Sequence, residues 1–63
     1  MIDAAQIRAA RALLGWTLTE LVRHTKMTVN ATSQIERGEV GARPASLEKI
    51  QRVFEEHGVE FLS

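Results

Sequence analysis

Asn30 and Gln34 have the chemistry and the spacing to recognise a hydrogen-bonding partner. Each side-chain amide donates and accepts at once, which matches what an adenine edge presents. They stand four residues apart in the segment TVNATSQIERG at 28–38. In a helix both would project from one face, with Ile35 on the opposite one. A second reading stays open from the residues alone: a solvated polar face with no partner. Arg23, Lys26, Arg37 and Arg43 lie near the two ends of the same region, where cations would meet phosphates if a nucleic acid were bound. The plain alternative is ordinary surface charge. Catalytic chemistry finds little to work with. There is no cysteine or tyrosine, no phosphate-cradling glycine loop, no carboxylate pair beside a histidine, and too little chain to enclose a substrate. The expectation is no enzyme, no small-molecule substrate and no cofactor. His24 and His57 lie far apart in sequence without ligand companions, so no metal site is expected, and His57 suits a helix C-terminus.

Two helix starts eleven residues apart must position these residues. Thr17 can cap the first helix while Glu20, three residues on, reaches back to the cap amide; Trp16 and Leu21 fall at the staple positions on either side. Leu21 and Val22 form its inward face, and Arg23 and His24 suit its C-terminal end. Thr28 can cap the second helix, which runs to about Arg37 and ends at Gly38, the residue type that most easily closes a helix in the left-handed conformation. Met27, Thr32 and Ile35 should face the core. Helices of roughly two to three turns are marginal in water, so both must pack onto something else. Two short helices across a tight turn are the layout of a helix-turn-helix, spanning 17–38.

The supporting elements flank this motif. Ala4 to Leu14 reads as a helix with Ile7, Ala10 and Leu14 at helical spacing, Asp3 as its cap and Gly15 as its end. Residues 38–43 (GEVGAR) form a loop, and Pro44 is placed for the first turn of a fourth helix. Leu47, Ile50, Val53 and Phe54 share one face of that helix, which stops at Gly58. In the tail, Val59 and Phe61 alternate with Glu60 and predict a short strand with no second strand in the chain to pair with. Residues 58–63 therefore read as a dimerisation tail, with Phe54, Val59, Phe61 and Leu62 at the interface and a second chain completing the pairing.

At 63 residues the chain is one domain, 1–63, and one this small buries only about 60% of the surface its unfolded form exposes. An apolar fraction of 44% suits a globular domain rather than a disordered one. No apolar run approaches the roughly 18 residues of a membrane span, and Asp3, Arg8 and Arg11 argue against a signal peptide. A cytoplasmic protein without membrane contact is expected. The formal net charge is zero, yet its distribution is uneven: residues 1–46 carry two more cations than anions, and residues 47–63 two more anions than cations. The helix-turn-helix half is the basic half.

With these elements in place, residues 4–57 resemble the Xre-type helix-turn-helix family, the Cro and phage-repressor-like DNA-binding domains. IRAARALLGWT at 7–17, Glu20-Leu21, and QIERG at 34–38 carry the likeness. The resemblance implies an all-α, compact four-helix lambda-repressor-like domain whose third helix enters the major groove of double-stranded DNA. It implies base reading by Val29, Asn30, Ser33 and Gln34, and phosphate contacts from Thr17, Arg23, Lys26, Thr28, Arg37 and Arg43. It also sets Arg11 opposite Glu36 as an ion pair joining the first and third helices. The function that follows is a transcriptional regulator, a repressor acting as a homodimer. Four positions depart from the family pattern. Leu18 stands where a phosphate-bonding glutamine is common, Val22 replaces an alanine, Lys26 the turn glycine, and Thr32 an aliphatic whose place its hydroxyl could fill by bonding back to Thr28. Leu18 and the zero net charge point to an alternative, a protein-interaction module such as an antiactivator or antitoxin whose third helix binds a protein partner.

Overall fold

Local capping sets where each helix begins. In a computed structural model, which describes residues 2–39 and 42–62, the order is α1 Ala4–Leu14, α2 Leu18–Thr25, α3 Val29–Glu36 and α4 Pro44–Glu56. Met1, Val40, Gly41 and Ser63, hence the middle of the 38–43 loop and the last residue of the tail, lie outside the described residues. At α1 the Asp3 carboxylate accepts from the Gln6 amide at 2.9 Å and the Gln6 side chain accepts from the Asp3 amide at 2.9 Å. Thr17 and Glu20 make the same reciprocal box at α2, at 3.2 and 3.4 Å. Thr28 caps α3 by accepting from Ala31 N–H at 3.1 Å. Each box satisfies amides that the first turn leaves without partners. At α4 no side chain caps, and Pro44 takes the first turn.

The four helices wrap one core. Ile2, Ile7, Ala10, Leu21, Ile35, Ile50 and Phe54 form it, with Leu14, Trp16, Met27 and Leu47 packed against its edge. The pair α2 and α3 is clamped from both sides, since α1 packs on α3 and α4 packs on both α1 and α2. That clamp supplies the tertiary support that two eight-residue helices require. Leu21 is fully buried and Val22 only half so. Thr25, unremarked in the sequence, is fully buried too, its hydroxyl donating to the Leu21 carbonyl at 2.9 Å. Thr32 is likewise buried, and its hydroxyl donates to the Thr28 carbonyl at 2.8 Å. No described helix is long and apolar enough to cross a membrane.

Beyond α4 the structure departs from expectation. Among the described residues there is no strand, and 59–62 form an irregular tail. Gly58, at φ +93°, turns the chain back, Val59 N–H donates to the Phe54 carbonyl at 3.0 Å, and the Phe61 ring meets Phe54 edge-on at 6.1 Å. Val59 and Phe61 are half-buried against the core of their own chain. The alternation of Val59 and Phe61 therefore marks a docked segment rather than a strand awaiting a partner. Phe54 is fully buried, so it belongs to the core and not to an interface.

Candidate nucleic-acid interface

The outer face of α3 starts at the Thr28 cap. Val29, 55% exposed, is followed by Asn30 and Gln34, both exposed, while Thr32, Ile35 and Glu36 point inward. The four-residue spacing thus puts both amides on the solvent side. Ser33 is half-buried, and its hydroxyl accepts from Arg37 Nη1 at 2.7 Å. Gln34 borders a shallow cleft whose far wall is Arg43 and Ser46, at the start of α4.

The cations divide into two kinds. Arg23, Lys26 and Arg43 are exposed, Arg43 across the cleft from Gln34, whereas Arg37 donates through Nε to Glu39 at 2.5 Å as well as to Ser33. The hydroxyls of Thr17 and Thr28 are exposed but already serve as helix caps. Lys26 closes α2 in the left-handed region at φ 59°, and its N–H donates to the Val22 carbonyl at 2.8 Å.

An arginine–carboxylate fork fixes α3 relative to α1. Arg11 donates to Glu36 twice, Nε to Oε2 at 2.5 Å and Nη2 to Oε1 at 2.9 Å, and its Nη1 donates to the Trp16 carbonyl at 3.0 Å. The Glu36 side chain is 10% exposed and that of Arg11 24%. The hydrogen bonding of Arg11 to Glu36 raises the Arg11 pKa against the opposing effect of burial. Arg8 adds a bond from Nη1 to the Glu36 carbonyl at 2.5 Å. Its register suits this, because Arg8 and Arg11 are three residues apart on one α1 face.

Two short capped helices, the second turned outward and the pair held by α1 on α3 and α4 on α2, describe a helix-turn-helix. A family model described as "Helix-turn-helix domain" matches residues 4–61. The chain belongs to the helix-turn-helix domain family. No curated protein and no solved structure matches it. The family match is consistent with the Xre-type resemblance, and the departures can now be located in this helix-turn-helix domain. Leu18 is half-buried at the first position of α2, and Val22 is half-buried one turn on. Lys26 takes the left-handed conformation a turn glycine would take, and Thr32 satisfies its hydroxyl within its own helix.

One cluster escaped the sequence reading. The two histidines of this helix-turn-helix domain meet, their ring centroids 4.7 Å apart. Trp16 stacks on His24 at 4.4 Å and meets His57 edge-on at 4.8 Å. His57 Nδ1 lies 2.8 Å from the Val53 carbonyl, an acceptor only, so Nδ1 is the donor. The only sequence signal was shared position, since His24 lies in the last turn of α2 and His57 is the C-cap of α4. Among the described residues no three ligand side chains gather as a metal site.

Proposed function

We propose that this helix-turn-helix domain regulates transcription by binding duplex DNA sequence-specifically, and that it represses by occupying an operator as a homodimer in the cytoplasm. The observation that carries the reading is the pair Asn30 and Gln34, exposed on the same outward face of α3, with exposed Arg43 across the cleft from Gln34 and Arg23 and Lys26 exposed on the preceding helix and turn. The two amides read base edges, with Val29 against a thymine methyl, while the cations set the register on phosphates. A bound dimer then blocks polymerase. The second copy docks on the surface where Leu13 and Leu62, 77% and 80% exposed, flank half-buried Val59 and Phe61. Two copies so related require half-sites about one helical turn apart, roughly 34 Å.

Selection of bound fragments from a genomic library with the purified protein tests the reading. Asn30→Ala or Gln34→Ala then weakens the selected site by about 1–3 kcal/mol and leaves random duplex nearly unchanged, whereas Arg43→Ala weakens both and lowers the salt slope by about one unit. Leu62→Glu converts the dimer to monomer in light scattering. A second reading, a module whose third helix grips a protein partner, is favoured by Val29, an exposed apolar side chain on that helix. It replaces the first if Asn30→Ala and Gln34→Ala spare DNA binding but abolish partner capture.

A further inference from the structure

Ser33, Arg37 and Glu39 form a chain of hydrogen bonds on the rim of the outward face of α3. Arg37 Nη1 donates to the Ser33 hydroxyl at 2.7 Å and Arg37 Nε donates to Glu39 Oε2 at 2.5 Å. Exposed ion pairs of this kind are usually weak and wandering. Here the backbone holds both partners. Ser33 and Arg37 are one helical turn apart, so their side chains meet on one face. Gly38, at φ +74°, closes α3 with its N–H on the Ile35 carbonyl at 3.0 Å, and Glu39 N–H returns to the Gln34 carbonyl at 3.1 Å. This pair of bonds is a Schellman closure. It fixes the Glu39 backbone against the end of the helix and leaves its carboxylate beside Arg37.

We infer that Glu39, through Arg37, sets Ser33 as a hydrogen-bond donor toward the DNA bases and removes Arg37 from the charge available to phosphates. The inference rests on the DNA reading above. A hydroxyl that accepts from a guanidinium is polarised, so it gives its own proton more readily and accepts less well. Purine N7, guanine O6 and thymine O4 in the major groove can take that proton, and the cytosine amino group cannot. Glu39 is thus a positioning and specificity residue. It also places an anion beside the face that must approach phosphates, which holds down binding to random sequence.

The free protein and the DNA complex test this separately. Arginine-selective NMR of the free protein should show the Arg37 Nε–H exchanging slowly in wild type and fast in Glu39→Gln, with Arg11 Nε–H slow in both. Glu39→Gln should bind random duplex several-fold more tightly, steepen the salt slope by about one unit as Arg37 becomes a phosphate contact, and lose preference at one base pair of the selected site. Ser33→Ala should lose preference at that same base pair with the salt slope unchanged. Equal Arg37 Nε–H exchange in wild type and Glu39→Gln overturns the inference whatever the DNA does. Loss of the slow proton with no change in slope or preference overturns the DNA role of the chain. If wild type selects no duplex at all while the slow proton is present, the DNA reading itself has failed and the role assigned to Glu39 goes with it.

Discussion

Glu36 ties α3 to α1 through both its side chain and its backbone. Its carboxylate takes two bonds from Arg11, and its carbonyl takes one from Arg8. Glu36→Ala would strand a guanidinium that is three-quarters buried. Breaking such a pair costs about 3 kcal/mol, at the low end for buried ions because Arg11 keeps some solvent. A domain of this size holds only about 3–9 kcal/mol in total. Denaturant titration should therefore find Glu36→Ala largely unfolded or close to it, with Glu36→Gln in between; melting of both within a degree or two of wild type would contradict the geometry. The raised Arg11 pKa implies stability that is complete below the ordinary arginine pKa and lost only as pH climbs through the raised value. The fork is then intact throughout the neutral range. Lys26 is the opposite case. Its left-handed backbone at φ 59° costs a side-chain-bearing residue about 1 kcal/mol. Lys26→Gly should raise the melting temperature by about 4–8 °C while weakening random-duplex binding through loss of one cation.

At the scale of the element, α3 shows how eight residues are kept helical. The Thr28 hydroxyl holds the first turn, the buried Thr32 hydroxyl bonds back to Thr28, and Gly38 with Glu39 closes the end. Thr28→Ala should cost about 1 kcal/mol, read as a lower denaturant midpoint with an unchanged slope. Starts and stops of this kind were legible in the chain because they are local. Thr17 with Glu20, Asp3, Thr28, Gly15, Gly38 and Pro44 each act within four residues of their own position. The order and type of all four helices followed from them, and so did the outward placement of Asn30 and Gln34. What was not legible depends on contacts across the fold. The tail has a strand's alternation, yet Phe61 is placed by a ring 7 residues earlier on the far side of a glycine turn. The meeting of His24 with His57 needed the packing of α2 against α4, and no spacing within either helix encodes it.

For the whole molecule, the tail is part of the monomer's own stability. Phe61→Ala removes a half-buried ring from Phe54 and should cost about 2 kcal/mol, below the 3–5 of a fully buried phenylalanine. At concentrations too low for two copies to associate, the melting temperature should still fall by the amount this loss implies. A deficit that vanishes there and grows as concentration rises would mean that only a second chain covers the ring. Trp16 gives this molecule one more property. It is the only tryptophan in the chain, and it touches rings carried by α2 and α4 at once. Its indole is therefore a native optical gauge of the seam between the motif and its supporting helix, requiring no introduced label. If the domain unfolds as one cooperative unit, the emission shift of Trp16 and the loss of helical ellipticity must share one denaturant midpoint. An earlier emission change would reveal α4 peeling from the motif first, with α2 and α3 still wound.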